Sequence, residues 1–230
     1  MPKQLVELAE ACRILYAQGH ADMTLGHLSL RDPEGRGLWI KRSGISLGEA
    51  NAPDDFLLLD FKGNKISGEG NVHKEWPIHT EILLARPEIQ VVGHSHPFHA
   101  TVFSALNRPL EAVTNEATYL GGTPPRFTLT SDLIDTPQLC RAVAECLGNA
   151  SAMFLRNHGV CFVGVTIAEC ALMGIFLERA CRSYLAVLAT NTSYETTTES
   201  EIKNKKSQIL DSALLTNFWS FYRRQLASNP

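Results

Sequence analysis

Val91-Val92-Gly93-His94-Ser95-His96-Pro97 is the stretch on which the reading of this chain turns. The run from Ile89 to His96 is apolar and of strand length, and Pro97 closes it. Residues two apart on a strand project to one face, so His94 and His96 present their imidazoles to a single point while Ser95 faces away. Neutral imidazole suits zinc, manganese and iron. Two ligands alone bind weakly, and a hydrogen-bonded, inert pair at a strand end explains them as well.

Two further residues tip the balance. His158 sits in Phe154-Leu155-Arg156-Asn157-His158-Gly159-Val160, at a turn between two apolar strands, where Gly159 lets backbone come close. Glu75 stands just before Pro77 at the start of a helix. Simple complementation of the helix dipole accounts for that position, but near a cation the same carboxylate is a fourth ligand or a base.

Outward from this centre the chain alternates short strands and amphipathic helices. Leu5, Leu8, Cys12 and Leu15 mark one face of a first helix over residues 3–18, stopped at Gly19. His27 to Arg31, the turn Asp32-Pro33-Glu34-Gly35 and Leu38 to Lys41 make a hairpin, and Phe56 to Asp60 adds a strand. Pro77 opens a helix that has ended by Pro87, and Thr136-Pro137 opens another, stopped by Gly148. Ala152 to Leu155 and Val160 to Val163 read as paired strands. Thr166-x-x-Glu169 is a capping box for a helix reaching about Thr190.

With 230 residues and 44% hydrophobic content, one soluble domain is expected over residues 1–190. Residues 191–208, rich in Thr, Ser, Asn, Glu and Lys, read as a polar flexible segment. Apolar periodicity returns at 209–230 as a terminal helix packing on the same domain or on a neighbouring subunit. No stretch approaches the roughly 20 apolar residues that span a bilayer. Glu7, Glu10 and Arg13 interrupt the start in a way that a secretory signal does not, so a cytoplasmic location is expected. The six cysteines show no C-x-x-C spacing and read as buried free thiols. A net charge of −3, with both signs interspersed, offers no field to gather nucleic acid.

His73-Lys74-Glu75-Trp76-Pro77-Ile78-His79, then His94-Ser95-His96, then Arg156-Asn157-His158-Gly159 resemble, in order and spacing, the class II aldolase and adducin family. The resemblance runs over residues 5–189 and includes Gly26-His27-Leu28-Ser29-Leu30-Arg31 and Ser43-Gly44-Ile45-Ser46, which look like the family's substrate-pocket loops. It implies an α/β fold, a three-layer αβα sandwich around a mostly antiparallel sheet, assembled as a homotetramer with sites between subunits. It also implies one divalent cation, zinc or manganese, on His94, His96 and His158, with Glu75 on or beside it moving protons.

Where phosphosugar aldolases of the family cradle a phosphate with an Asn and two serines, this chain has His27 and His73-Lys74, while Ser43-Gly44 is kept in kind. With Lys41 and Arg42 nearby, that pocket suits a carboxylate at least as well as a phosphate. The position of the aldolases' proton-donating tyrosine falls near Asn115, leaving Tyr119 and Glu116 as substitutes. The pattern from Gly26 to Arg31 looks more like the decarboxylase branch. The expectation is therefore decarboxylation of an aromatic or enolisable hydroxy or keto acid through an enolate. Its substrate-binding residues are His27, Arg42, Ser43, Gly44, His73 and Lys74. Aldol cleavage or epimerisation of a sugar phosphate or hydroxy-keto acid is the runner-up, and a non-catalytic adducin-like binding module the third reading.

Overall fold

A computed structural model describes residues 2–209 and 212–228; residues 1, 210–211 and 229–230, at the edges of the expected domain and terminal helix, lie outside it. The chain begins with α1 (Pro2–Leu15), which unwinds through a π turn (Tyr16–His20) where Gly19 takes φ +98. The hairpin β1 (His27–Arg31) and β2 (Leu38–Lys41) follows as read, with Ser29 opposite Ile40. β3 (Phe56–Leu59) and β4 (Lys65–Ser67) extend it.

Next come α2 (Trp76–Ala85), β5 (Val91–Ser95), α3 (Phe98–Ser104), α4 (Asn115–Tyr119) and β6 (Arg126–Phe127). Then follow α5 (Pro137–Leu147), β7 (Ala152–Leu155), β8 (Gly159–Gly164) and α6 (Ile167–Ala189). Thr136 and Thr166 cap α5 and α6 through their side chains, and Gly148 ends α5.

The eight strands form one sheet in the order β4-β3-β2-β1-β5-β8-β7-β6. The expected mostly antiparallel sheet is a mixed one. Neighbours from β4 across to β7 run antiparallel, but β6 lies parallel to β7, because the chain between β6 and β7 crosses over through α5.

Strand alternation divides the core in two. Leu28, Leu30, Val91, Val160 and Phe162 face the layer of α1, α3 and α6. Val92, Cys161, Val163, Met153 and Leu155 face α2 and α5. The result is helix, sheet, helix, with the central strands β1, β5 and β8 buried along their length apart from the half-buried Arg31. His94 shares the face of Val92, and so does the tip of the strand at His96.

The polar segment departs from expectation. Residues 199–209 are not a flexible linker but a helix, α7 (Glu199–Ile209). Its start is a reciprocal cap, Glu201 N–H donating to Thr198 Oγ1 and Thr198 N–H to Glu201 Oε2. Composition had pointed to disorder, yet a single cap and docking against α4 are enough to order it. The terminal helix α8 (Ser212–Ser228) lies against α1 and α6 of the same chain, where Trp219 donates to Glu7 and Arg223 pairs with Glu10.

Candidate functional site

Strand β5 and its end, the turn into β8 and the start of α2 bring four ligand-type groups together. Glu75, His94, His96 and His158 each offer an atom, and these atoms all lie within 4.8 Å of one another. His94 comes from β5, His96 from the residue just past its end, and His158 from the turn into β8. That turn is held by the His158 amide on Leu155 O and by Asn157 at φ +56. Glu75 is the residue before α2, but its side chain does not cap that helix. It turns instead to His94 and His158, and Oε1 also accepts the Ile134 amide. Its hydrogen-bonding capacity thus serves the histidines and not the first turn of α2.

The tautomers follow from the partners. His94 Nδ1 donates to the Val160 carbonyl at 3.0 Å, and His96 Nδ1 donates to Asp22 at 2.7 Å. In the neutral rings both Nε2 atoms therefore carry bare lone pairs, and they face each other at 3.1 Å. Two lone pairs at that distance repel unless positive charge sits between them.

Ligands at a zinc-like bond length on a tetrahedron are separated by about 3.3 Å. The separations here are 3.1 Å (His94 to His96), 3.3 Å (His94 to Glu75) and 3.5 Å (His158 to Glu75). The donor set fits a divalent cation. A proton answers to the same pull: burial alone would push the His94 imidazole down, but the Glu75 carboxylate beside it raises it to about 10, so a cation would take the place of a proton on Nε2. Burial disfavours the charge on Glu75, yet His94 and His158 hold its carboxyl far below the ordinary range.

Beside this group lies a second histidine cluster. The ring of His27, opposite His94 in the β1–β5 register, lies tilted at 4.3 Å from that of His73 and 5.1 Å from that of His94. Its Nδ1 is 2.6 Å from His79 Nε2, and His79 Nδ1 is 2.7 Å from Ser29 Oγ. His79 therefore orients His27 rather than Glu75. His73 Nε2 is buried without a hydrogen-bond partner among the described residues. The Ser43 amide donates to Asn71 O, stitching the Ser43-Gly44 loop to the strand of chain that carries His73.

The cations expected in this pocket are otherwise engaged. Arg42 pairs with Asp55 at 2.8 Å, Lys41 is buried with its ammonium on the Arg42 and Ile45 carbonyls, and Lys74 is exposed.

Four other candidates belong elsewhere. His99 pairs with Glu178 at 2.6 Å. Tyr119 packs on Phe176 and Phe218, and Glu116 pairs with Arg179, so neither stands at the histidines. Arg126 serves its own subunit, its guanidinium held by the carbonyls of Phe103, Ser104 and Arg108. Asp22 and the Val160 carbonyl went unseen in the sequence, since neither belongs to a spaced pattern.

A cavity of about 660 Å³ opens onto Glu75, His96 and His158. One wall is apolar, from Leu25, Phe98, Val102 and Leu133; Asp22, Ser131, Asp132 and Asn157 supply the polar side.

The comparisons with known proteins point the same way. Residues 6–185 match the family described as the class II aldolase and adducin N-terminal domain. A 3,4-dihydroxyphthalate decarboxylase of Rhodococcus jostii is 30% identical over 196 residues, covering 80% of each chain. An L-fuculose phosphate aldolase of Methanococcus maripaludis is 30% identical over 181 residues, covering 76% of this chain and 92% of the relative. Among solved structures, an L-fuculose 1-phosphate aldolase from Glaciozyma antarctica superposes with a TM-score of 0.84 at 26% identity, over 97% of this chain and 88% of that one. No helix among the described residues is long and apolar enough to cross a membrane. The chain belongs to the class II aldolase and adducin family, as one of its metal-dependent lyases.

Proposed function

We propose that the chain is a decarboxylase of an aromatic or enolisable hydroxy or keto acid, with Glu75 as its catalytic proton carrier and His94, His96 and His158 as metal ligands. The observation that carries the lyase reading is the convergence of three imidazoles and a carboxylate on one point, with lone pairs turned inward. A divalent cation, zinc or manganese, held there supplies a Lewis acid that stabilises negative charge on substrate oxygens.

Decarboxylation leaves the electron pair of the broken carbon–carbon bond on the former neighbour of the carboxylate, spread onto an adjacent oxygen, and a proton must then return to that carbon. Glu75 faces the cavity and is held ionised by its histidine neighbours, so it is the group placed to take and return that proton. Its Oε1 is steadied by the Ile134 amide, which keeps the carboxylate aimed while it does so.

Two features favour an acid over a sugar phosphate. His27 and His73 stand where hydroxyl and amide side chains would wrap a phosphate, and we assign the substrate's carboxylate to them. To the same anion site we assign the Ser43-Gly44 loop, Lys74, and Arg42 once it is released from its pairing with Asp55. The wall of Leu25, Phe98, Val102 and Leu133 offers a flat ring an apolar surface that the hydroxyls of a sugar would not use. The named decarboxylase relative supports the same branch.

Aldol cleavage of a phosphosugar is the second reading, drawn from the fuculose phosphate aldolase relatives. Cytoplasmic location and a homotetramer complete the proposal. The deciding measurement is carbon dioxide release against aldehyde formation on dihydroxybenzoates, phthalates and phosphosugars. Carbon dioxide from an aromatic acid is expected; aldehyde alone, from a phosphosugar, would overturn the decarboxylase in favour of the aldolase.

A further inference from the structure

The sheet holds His96 less firmly than it holds His94. His94 sits inside β5, between β1 and β8, and its Nδ1 is served by a main-chain carbonyl of β8. His96 lies one residue past the end of β5, and the proline after it has no N–H with which to continue a ladder. Its ring stacks on His158 at 5.1 Å, a contact that would survive a half-turn about χ2 even though that turn puts carbons where the nitrogens stood. One contact removes that freedom. Asp22 Oδ2 accepts from His96 Nδ1 at 2.7 Å across a sequence separation of 74.

We propose that Asp22 is a positioning residue acting through His96. Its carboxylate accepts a hydrogen bond from the Nδ1 N–H, holds the ring at one rotation and leaves Nε2 bare toward Glu75 and His94. The negative charge also raises the basicity of the imidazole, as outer carboxylates do for metal-ligating histidines. Among the described residues, Asp22 is the carboxylate behind these rings. His94 has a carbonyl behind it, and His158 Nδ1 is buried with no partner.

Asp22 is itself held in a turn by the Leu25 amide on its carbonyl oxygen, and both Asp22 and Leu25 line the cavity. The loop from Ala21 to Gly26 thus aims a ligand and walls the substrate space at once.

This inference rests on the cation site proposed above, and the test separates the two. Zinc and manganese affinities of the full chain are measured by chelator competition for wild type, Asp22→Asn, Asp22→Ala and His96→Ala, and for Asp22→Ala combined with His96→Ala. Asp22→Ala is expected to weaken binding about 10- to 100-fold. Asp22→Asn should fall between, since its amide oxygen still accepts the proton but brings no charge. In the His96→Ala background the same Asp22→Ala change should cost nothing further, because its route is gone.

A role confined to folding would lower the melting temperature of the metal-free variants and leave affinity untouched, and that result overturns the proposal. So does an equal loss of affinity with and without His96. A wild-type chain that takes up neither cation overturns the metal reading and this inference with it.

Discussion

At the scale of single residues, Glu75 carries the sharpest expectation. Glu75→Gln keeps its shape and its hydrogen bond from Ile134 but can no longer move a proton. Turnover should fall by about 10²- to 10⁴-fold, with cation content reduced far less, as read by steady-state kinetics beside metal analysis. His94→Ala should instead lose the cation.

Away from the site, Asp32 is buried beneath Arg36 and Trp39, and the Arg36 hydrogen bonds hold its carboxyl down at about 2. The unfolded chain binds that proton first as pH falls. The stabilisation is therefore complete above the ordinary carboxylate range and vanishes as pH drops through about 2. Asp32→Asn should cost about 1 kcal/mol at neutral pH, discounted because Arg36 is partly in water, and nothing near pH 2 in denaturant titrations.

The histidines of the site could be read from spacing, because strand period two puts His94 and His96 on one side and no other arrangement is open to them. The partners behind them could not. A carbonyl has no letter, and Asp22 is separated from His96 by a distance along the chain that only the folded sheet closes.

At the scale of elements, the glycine after His158 shows what the turn into β8 requires. A Cβ on Gly159 would stand 2.5 Å from His96 Cδ2 and from the Ser95 carbonyl. Gly159→Ala should therefore displace the His96 ring and weaken cation binding while β7 and β8 still pair, which chelator competition and circular dichroism together would show.

The last helix makes the opposite kind of prediction. Trp219 of α8 is buried and donates to Glu7 of α1. Trp219→Ala should cost about 3 kcal/mol of stability in urea titrations with cation affinity unchanged, since nothing of α8 touches the histidines.

Elements with a strong period or cap, such as the β1–β2 hairpin and α6, were legible letter by letter. α3 and α4 were not, being too short for a helical period to rise above the noise. α7 was hidden because its stability comes from its cap and a docking surface, while its own residues are polar.

At the scale of the whole molecule, acid should undo the protein earlier than its carboxylates alone would predict. Burial pushes His20 and His79 down to about 3, far under the value each takes in the unfolded chain. As pH falls below about 6.5 the unfolded state takes up these protons and the folded state does not. Stability should be flat above that pH and decline beneath it by up to about 1.4 kcal/mol per pH unit for each such group. Thermal melts of the metal-free chain across that range would reveal it, and a flat profile down to pH 4.5 would contradict the burial of both rings.

The three-layer arrangement was expected from the resemblance to the family, while the alternation of strands and helices by itself gave only a mixed α/β chain. The parallel pairing of β6 with β7 was legible in neither, since a two-residue strand leaves no periodic trace.

The alternation of β5 has one more effect. Ser95, between the two histidines, points the other way and meets His20 at 2.8 Å in the layer of α1 and α6. Were this strand to slip by one position against its neighbours, every side chain would change sides. The hydroxyl would arrive where the imidazoles belong, and the imidazoles would be thrust among leucines. A sheet assembled out of frame would keep most of its ladder and all of its greasy bulk, yet could grip no ion. Ion uptake by a preparation would thus count only those molecules whose central strand has settled in frame.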